Sequence, residues 1–355
     1  MRPLTPELKD FLKKGTVIPA HPLALHEDRT LNEDKQRLLT RYYMQSGAGG
    51  VAVGVHSTQF EIRDPQINLF ETVLKLALEE IDRANLDRPF IKIAGICGPT
   101  EQAVKEAKFA SEIGYDMGLL SMGGLTGWTE AAILDRVRAV AAEIPVFGFY
   151  LQPSVGGRIF SYQFWQEFVE IENVQAIKCA SFNRYQTLDV MRAVAASSRR
   201  EEIVMYTGND DNIVPDLLTN YTFMVAGKEI QVDFKGGLLG HWAVWTHKAV
   251  ALLEEIKAYK SNPTASGAAD LLKKGIWITD VNAALFDPAH EFEGCIPGIH
   301  EVLRRQGLME GIWCLNPNEV LSAGQKEEID RVYTDYPTLN DDEFVQSFLT
   351  NEHRI

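Results

Sequence analysis

Residues 144–183 read IPVFGFYLQPSVGGRIFSYQFWQEFVEIENVQAIKCASFN, and the interpretation of the whole chain starts from them. Two short runs, VFGFYL (146–151) and VQAIKCA (174–180), are apolar at nearly every position. Between them, SYQFWQEFVEIEN (161–173) carries apolar residues at the spacing of one helix face. Strands that are apolar throughout suit a parallel sheet buried on both faces. The stretch therefore predicts one strand–helix–strand unit of such a sheet.

The same alternation of apolar runs and amphipathic stretches extends over the first two thirds of the chain. Eight strands in such even register favour an α/β fold of the (β/α)8 TIM-barrel class over an open doubly wound sheet. The predicted strands are 16–20, 50–55, 90–96, 117–122, 146–151, 174–180, 202–208 and 234–240.

The chain is expected to divide into a barrel at residues 1–260 and a C-terminal helical extension at 261–355 that packs on the barrel. After residue 240 the apolar spacing is mostly helical, and SNPTASG (261–267) is rich in turn residues, as expected for a linker. Residues 1–15 predict a short amphipathic helix closed by a glycine. An inserted loop or hairpin is expected at 220–235.

The composition limits the classes of partner. The 355 residues carry a formal net charge of −14 with no strongly basic run, which argues against nucleic-acid binding. No apolar run approaches the roughly 18 residues that a membrane span needs, and the charged N-terminus is not typical of a signal peptide. The four cysteines form no Cys-x-x-Cys pair, which favours reduced thiols and a cytoplasmic location.

Lys178 is the strongest candidate for a catalytic residue. It lies inside an otherwise apolar predicted strand, where partial desolvation disfavours the charged ammonium and lowers its pKa. A neutral amine can attack a carbonyl carbon and form a Schiff base. The alternative is a lysine whose ammonium reaches solvent at the strand end. Tyr150 ends the preceding strand, so we expect it to neighbour Lys178 and relay protons, unless it is only a packing aromatic.

Other candidates follow the second and seventh predicted strands, because chemistry in such barrels lies at the carboxyl ends of strands. The backbone amides of Val55, Ser57 and Thr58 could hold a substrate carboxylate, and His56 could shuttle protons; an ordinary loop and a packed histidine are the alternatives. Gly208 and Asn209 are expected to contact substrate. No metal site or cofactor is predicted, since no dinucleotide fingerprint, P-loop or HExxH motif occurs.

These motifs together resemble the dihydrodipicolinate synthase / N-acetylneuraminate lyase family, of which the chain looks like a divergent member. The segment IPVFGFYLQPSVGG matches the family's Tyr-x-x-Pro-x-x-x-Gly region, which places Tyr150 on the proton-relay tyrosine. VQAIKCASFN places Lys178 on the Schiff-base lysine, and YTGNDDN resembles the Gly-x-Asp turn after strand seven. Weaker similarities are IPAHPLALHEDRTLNED (18–34) and GIHEVLRRQGLMEG (298–311).

The resemblance implies a class I lyase or aldolase that acts on pyruvate or another 2-oxo acid, with an aldehyde as the second substrate. Either C–C bond cleavage or formation, or a related dehydration, would proceed through the imine. It also implies a homodimer or homotetramer and no cofactor. The chain departs from the family after strand two, where Gly-Thr-Thr-Gly-Glu is replaced by GVHSTQ (54–59). It also lacks the arginine that dihydrodipicolinate synthases carry after Tyr-x-x-Pro, so lysine biosynthesis is not expected.

Two alternatives belong to other functional classes. The altered loop after strand two is compatible with a barrel that binds a metabolite or partner without imine chemistry. A metal-dependent barrel hydrolase would use His21, His56 and Asp210, although their spacing gives this reading little support. Formation of an imine with a 2-oxo acid separates the lyase from both alternatives.

Overall fold

The computed structural model describes residues 3–264 and 266–352. The helices are α1 (Pro6–Lys14), α2 (Glu33–Gln45), α3 (Phe70–Ala84), α4 (Thr100–Ile113), α5 (Glu130–Ala141), α6 (Tyr162–Val169), α7 (Arg184–Ala196), α8 (Ile213–Leu218), α9 (Thr246–Ser261), α10 (Gly267–Phe286), α11 (Cys295–Arg305), α12 (Gln325–Asp335) and α13 (Asp342–Glu352). The strands are β1 (Val17–Pro19), β2 (Gly50–Val53), β3 (Ile91–Ile96), β4 (Met117–Ser121), β5 (Val146–Leu151), β6 (Val174–Ala180), β7 (Val204–Thr207), β8 (Tyr221–Val225), β9 (Lys228–Val232) and β10 (Phe234–Leu239).

The chain forms two compact parts, which are described in turn. The strand-rich part comprises residues 1–16 and 91–238, and the helix-rich part comprises residues 17–90 and 239–355.

In the strand-rich part, parallel strands pair in the order β3, β4, β5, β6, β7 and β10. Every residue of β5 and β6 is buried, as expected for strands covered on both faces. In the register, Phe149 of β5 lies beside Lys178 of β6, and Lys178 lies beside Tyr206 of β7. Successive side chains of a strand point to opposite faces, so this register fixes which residues share a face with Lys178.

Helices α4 to α7 connect these strands, and their ends are set by local sequence. Asn183 caps the N-terminus of α7, where its side-chain oxygen accepts hydrogen bonds from the amides of Tyr185 and Gln186. Gly114 ends α4 in the left-handed conformation that glycine adopts without strain. The antiparallel strands β8 and β9 form a hairpin that packs against α7. The hairpin predicted for 220–235 is therefore confirmed.

In the helix-rich part, β1 and β2 are parallel neighbours that are bridged at Ala20 and Ala52. Helix α2 packs against α3, and α9 packs against β1. The segment after residue 240 is mostly helical, as predicted. Here α10 contacts α11 and α12, and α13 contacts α2.

A buried carboxylate ties the C-terminal segment to α2. Asp341 precedes α13 and accepts hydrogen bonds from the Tyr42 hydroxyl at 2.7 Å, the Gln306 amide at 2.8 Å and the His247 backbone amide at 3.1 Å. Burial raises the pKa of Asp341, and the hydrogen bonds oppose that shift. The Tyr42 hydroxyl also accepts a hydrogen bond from the Thr246 amide. Tyr42 therefore bridges two buried groups, and its loss would leave both of them short of a partner.

The predicted fold class is confirmed, because eight parallel strands (β1 to β7 and β10) alternate with helices as in a (β/α)8 barrel. Each observed strand end lies within two residues of its predicted position. The N-terminal helix is also confirmed at α1, which ends at Gly15. The domain boundary after residue 260 stays a prediction.

Some predicted segments extend over residues outside the described ranges, namely 1 and 2 of the N-terminal helix, Ala265 of the linker, and 353–355 of the extension. Within the described ranges, no helix is both long and apolar enough to cross a membrane.

We predict that Tyr42→Phe lowers the free energy of unfolding by about 1–3 kcal/mol, because it removes a hydroxyl that serves two buried partners. Urea unfolding followed by circular dichroism measures the change. Tyr185→Phe is the matched control, since 83% of Tyr185 is exposed and its loss of a hydroxyl should leave stability unchanged. Equal effects of the two variants would contradict the anchoring role of Tyr42.

Candidate active site

Lys178 lies in the middle of the parallel strands, in β6, and its side chain is buried. Its ammonium nitrogen lies over the ring of Phe149, 4.3 Å from the ring centroid. The face of an aromatic ring attracts a cation by roughly 0.5–2 kcal/mol, so this contact supports the charged form of the lysine. The strand therefore holds one amine in an apolar setting that still tolerates a positive charge.

Two opposing effects set the acidity of this amine. Burial lowers the pKa of Lys178 to about 8, and the negative charge of Asp210 partly opposes that shift. At pH 7 such a lysine has ~300-fold more neutral amine than an ordinary lysine side chain. The sequence predicts a lowered pKa for a lysine in this apolar strand, and the buried position of Lys178 agrees with that prediction. Asp210 is thus the charged partner of Lys178 within the strand-rich part.

Gly208 leaves room for the aliphatic part of Lys178. A β-carbon at position 208 would lie 2.6 Å from Cε of Lys178 and 2.9 Å from its Cγ, closer than side chains approach in real structures. It would also lie 2.9 Å from the Cβ of Ala180. The sequence predicted a substrate contact at Gly208, which stays a prediction. The structure adds a packing reason for a residue without a side chain at this position.

Tyr150 does not lie beside Lys178, which corrects the expectation from the sequence. In the register, Tyr150 is paired with Cys179, one residue beyond Lys178, and Phe149 is paired with Lys178. Because side chains alternate along a strand, the Tyr150 and Lys178 side chains point to opposite faces. The Tyr150 ring packs on Trp165 of α6, with ring centroids 4.9 Å apart. A direct proton relay between Tyr150 and Lys178 is therefore not supported.

The Tyr150 hydroxyl itself has a structural partner. It accepts a hydrogen bond from the Phe160 amide at 3.5 Å, and burial raises the pKa of Tyr150 to about 12. The phenol is therefore neutral at physiological pH.

The Asn209 side chain is occupied within the fold. Its amide oxygen accepts a hydrogen bond from the Phe182 amide at 3.0 Å, and its nitrogen donates to Asp216 at 2.8 Å. Asp216 also accepts from Thr207 and pairs with Arg184, both at 2.7 Å. Asn209 thus belongs to a structural network, and the substrate contact predicted for it stays a prediction.

In the helix-rich part, the loop after β2 is a 3-10 turn spanning His56–Thr58. The Thr58 hydroxyl accepts hydrogen bonds from the amides of Gly54 at 3.0 Å and Val55 at 3.2 Å, and it donates to the His21 carbonyl at 2.6 Å. The Thr58 amide donates to the Val55 carbonyl at 3.0 Å. Thr58 therefore stabilises this turn by using groups that the sequence had assigned to a substrate.

Consequently, fewer backbone amides of this turn can bind a substrate carboxylate than the sequence predicts. The Val55 and Thr58 amides are bonded inside the turn and are therefore not available to an anion. The Ser57 hydroxyl donates to the His21 carbonyl at 3.3 Å. The His56 ring is half-buried and lies 5.9 Å from the Phe60 ring, measured between centroids.

His21 is fully buried, and both its ring nitrogens have partners. Nδ1 lies 2.8 Å from the Pro22 carbonyl oxygen, and Nε2 lies 2.9 Å from the Thr40 hydroxyl oxygen. Burial lowers the pKa of His21 to about 4, so its ring is neutral at pH 7. The metal-hydrolase alternative therefore loses one of its proposed ligands. Among the residues that the structure describes, no group of three or more His, Cys, Asp or Glu side chains is placed to hold a metal ion.

Sequence reasoning missed the roles of Phe149 and Asp210 at the amine. The Tyr-x-x-Pro motif points to Tyr150 and not to Phe149. The sequence places Asp210 in a Gly-x-Asp turn and among possible metal ligands, and neither pattern predicts a role at the amine. Asp210 lies two residues after Gly208, and residues two apart in an extended segment face the same side. This spacing is the signal that could have placed Asp210 near Lys178.

The strand-rich part thus offers one nucleophilic amine, one nearby carboxylate and an aromatic ring face. A neutral amine of this kind can add to a ketone carbon, and a nearby carboxylate stabilises the cationic imine that results. This defines the site as a candidate for Schiff-base catalysis on a (β/α)8 fold.

Comparisons with known proteins agree with this class. No family model matches the chain. A 4-hydroxy-tetrahydrodipicolinate synthase from Clostridium novyi is 32% identical over 38% of this chain and 44% of its own length, so the match spans less than half of that relative. An enzyme of the same name from Desulforamulus reducens is 23% identical over 77% of this chain and 92% of its own length.

Solved structures with similar folds carry related names. Dihydrodipicolinate synthase from Oceanobacillus iheyensis superposes with a TM-score of 0.72 at 18% identity, covering 93% of this chain and 99% of that one. N-acetylneuraminate lyase from Fusobacterium nucleatum, solved in complex with pyruvate, superposes with a TM-score of 0.70 at 18% identity, covering 91% of this chain and 97% of that one.

The resemblance indicated by the sequence is confirmed, because the relatives and structural neighbours bear the names of the dihydrodipicolinate synthase / N-acetylneuraminate lyase family. The sequence identities to the relatives and structures named here lie between 18% and 32%.

We predict that Gly208→Ala strongly reduces reaction of the Lys178 amine, because the new methyl group would collide with Cε and Cγ of that lysine. Labelling of Lys178 by an amine-reactive reagent at pH 8, read by peptide mass spectrometry, measures the effect. Glu201→Ala is the control, since 92% of the Glu201 side chain is exposed. Unchanged labelling in Gly208→Ala would contradict the packing described here.

We also predict that Asp210→Asn lowers the pKa of Lys178 below about 8, because the Asp210 carboxylate favours the charged ammonium. The pH dependence of Lys178 labelling reports this pKa. Asp211→Asn removes one charge from the adjacent residue, which is not among the groups that shift the pKa of Lys178, and should leave the labelling curve in place. A curve shifted equally by both substitutions would show that the effect is not specific to Asp210.

Proposed function

We propose that the chain is a Schiff-base-dependent lyase or aldolase that acts on pyruvate or another 2-oxo acid through Lys178. The observation that carries the proposal is the buried Lys178 amine, whose pKa lies at about 8, in a strand of a (β/α)8 fold. The names of the relatives support a lyase of this kind.

In the proposed reaction, the neutral amine of Lys178 attacks the ketone carbon of the 2-oxo acid and gives a carbinolamine. Loss of water then yields a protonated imine, which withdraws electrons from the neighbouring carbon. The resulting enamine adds to an aldehyde, or a C–C bond breaks in the reverse direction; loss of a hydroxyl group through the same imine is a close variant. Asp210 would stabilise the cationic imine, because the positive charge stays at the position of the ammonium.

The other predicted residues enter the proposal with reduced roles. The turn at 55–58 is the proposed carboxylate-binding segment. His56 is the proposed proton shuttle. Tyr150 is not assigned a step at the amine, because its side chain lies on the other face of the strands. A homodimer or homotetramer is part of the proposal and rests on the family resemblance. The proposed cytoplasmic location rests on the reduced cysteines.

A second candidate function is a barrel that binds a metabolite without imine chemistry. The position of Tyr150 favours it, since the tyrosine that the motif matches to the family's relay tyrosine lies on the opposite face from Lys178. The same experiment separates the two functions.

The test is borohydride reduction in the presence of pyruvate, followed by intact and peptide mass spectrometry. We expect a stable adduct on Lys178 whose added mass equals one pyruvic acid less one oxygen atom. Lys178→Ala should give none, and Lys235→Ala, which removes a more exposed lysine, should trap like the parent chain. Tyr150→Phe should still trap, because its hydroxyl does not face the amine.

Failure to trap pyruvate or any member of a panel of 2-oxo acids, in a chain that is folded by circular dichroism, would refute the lyase. A binding protein would instead show a saturable change in melting temperature with one of the same acids and no adduct.

A further inference from the structure

A second group of reactive side chains lies at the carboxyl end of β3. We call it the Cys97 cluster, and it consists of Cys97, Gln102, Glu106 and Arg136. Cys97 follows β3 directly and is half-buried. The chain then enters α4, which supplies Gln102 and Glu106, while Arg136 comes from α5. None of these residues is used by the proposed reaction at Lys178.

Arg136 is the unusual member, because its side chain is fully buried and largely without hydrogen-bond partners. Its Nε donates to the Gly98 carbonyl at 2.7 Å, so the guanidinium contacts the residue that follows Cys97 in the sequence. Its two terminal nitrogens have no hydrogen-bond partner among the described residues. A buried guanidinium with unused donors is costly, so an acceptor is expected at this position.

Glu106 does not fill that role. One of its carboxylate oxygens accepts a hydrogen bond from the Cys97 amide at 3.1 Å, and the other accepts from the Gln102 side chain at 2.8 Å. Burial lowers the pKa of Arg136 to about 10. Negative charges on Cys97 and Glu106 oppose this shift, and Cys97 has the larger effect of the two. A negative charge on Cys97 or on Glu106 therefore stabilises the charged Arg136 guanidinium.

Two further features favour a negative charge on the Cys97 sulfur. The Gln102 side-chain nitrogen donates toward this sulfur at 3.9 Å. The sulfur also lies next to the N-terminal end of α4, a helix of 14 residues whose first turn carries partial positive charge. Gly98 keeps Gln102 in place, since a β-carbon at position 98 would overlap the Gln102 amide. A cation, a hydrogen-bond donor and a helix N-terminus are the surroundings of reactive cysteines.

We propose that Cys97 is a nucleophilic thiol and a modification site for hydrogen peroxide and other small electrophiles, with Arg136 positioned to hold the oxidised product. The Cys97 thiolate attacks one peroxide oxygen, the O–O bond breaks, and hydroxide leaves and takes up a proton to become water. Sulfur is oxidised to sulfenic acid, and the peroxide is reduced. The new oxygen can accept the hydrogen bonds that Arg136 has to donate. This inference does not depend on the proposed lyase function.

The other cysteines provide internal comparisons. Cys179 is buried, and burial raises its pKa to about 11, while burial also raises the pKa of Cys314. Neither is expected to react. Cys295 has a half-buried side chain like that of Cys97, and it also lies at a helix N-terminus, as the first residue of α11. It is therefore the matched reference for reactivity.

The test is timed alkylation of the full chain with iodoacetamide at pH 7, with each cysteine quantified by peptide mass spectrometry. We expect Cys97 to react at least about tenfold faster than Cys295, which corresponds to roughly one unit of thiol pKa. Hydrogen peroxide followed by dimedone should label Cys97 preferentially. Arg136→Met keeps an unbranched apolar stem and should slow alkylation of Cys97 about tenfold, leaving the rate at Cys295 unchanged.

Gln102→Leu should slow alkylation of Cys97 by a smaller factor. If Arg136→Met fails to fold, the rate in Gln102→Leu tests the proposal instead. Equal rates at Cys97 and Cys295 in the parent chain would overturn the proposal. So would folded variants in which Cys97 reacts as fast as before.

Discussion

The strand-rich part depends on one electrostatic constraint, which is the burial of the Lys178 amine away from water and close to the Asp210 carboxylate. Removing an ammonium from water without compensation is costly, and the group responds by giving up its proton more easily. Asp210 and the Phe149 ring return part of the stabilisation that water would provide. Gly208 leaves the space that the side chain needs. The balance places the pKa of Lys178 at about 8, where both protonation states are accessible near neutral pH.

Because side chains alternate along parallel strands, the residues near the Lys178 amine lie on one face and residues with structural roles lie on the other. Lys178 and Phe149 share one face. On the other face, Cys179 lies near Thr187 of α7, and Asn209 is fixed by Asp216. Neighbouring residues in one short turn therefore differ in role, since Asn209 holds the turn and Asp210 acts on the amine. A substitution in this turn should be interpreted by the face it occupies.

The sequence predicted the strands and Lys178 for physical reasons that are local. Apolar runs bounded by turn residues mark buried strands, and a lysine inside such a run is conspicuous without any knowledge of its neighbours. The position of Tyr150 could not be predicted in this way. It depends on the register between β5 and β6, and a shift of one residue moves a side chain to the opposite face. The motif matched the family, but the register placed Phe149 at the amine.

The same limit applies to groups whose partners are distant in sequence or depend on backbone geometry. The Thr58 hydroxyl accepts a hydrogen bond from the Val55 amide, which a substrate carboxylate was expected to use, and this follows only from the shape of the turn. The Arg136 side chain reaches the loop after β3 from a different helix, so its open donors could not be recognised from spacing.

The most direct test of the account is a crystal structure of the chain grown with pyruvate near pH 8. We expect continuous electron density from Nζ of Lys178 to the C2 carbon of pyruvate, with the Asp210 carboxylate on the same side of the strands. Pyruvate bound without a covalent link to Lys178, or bound only at another site while Lys178 stays unmodified, would contradict it.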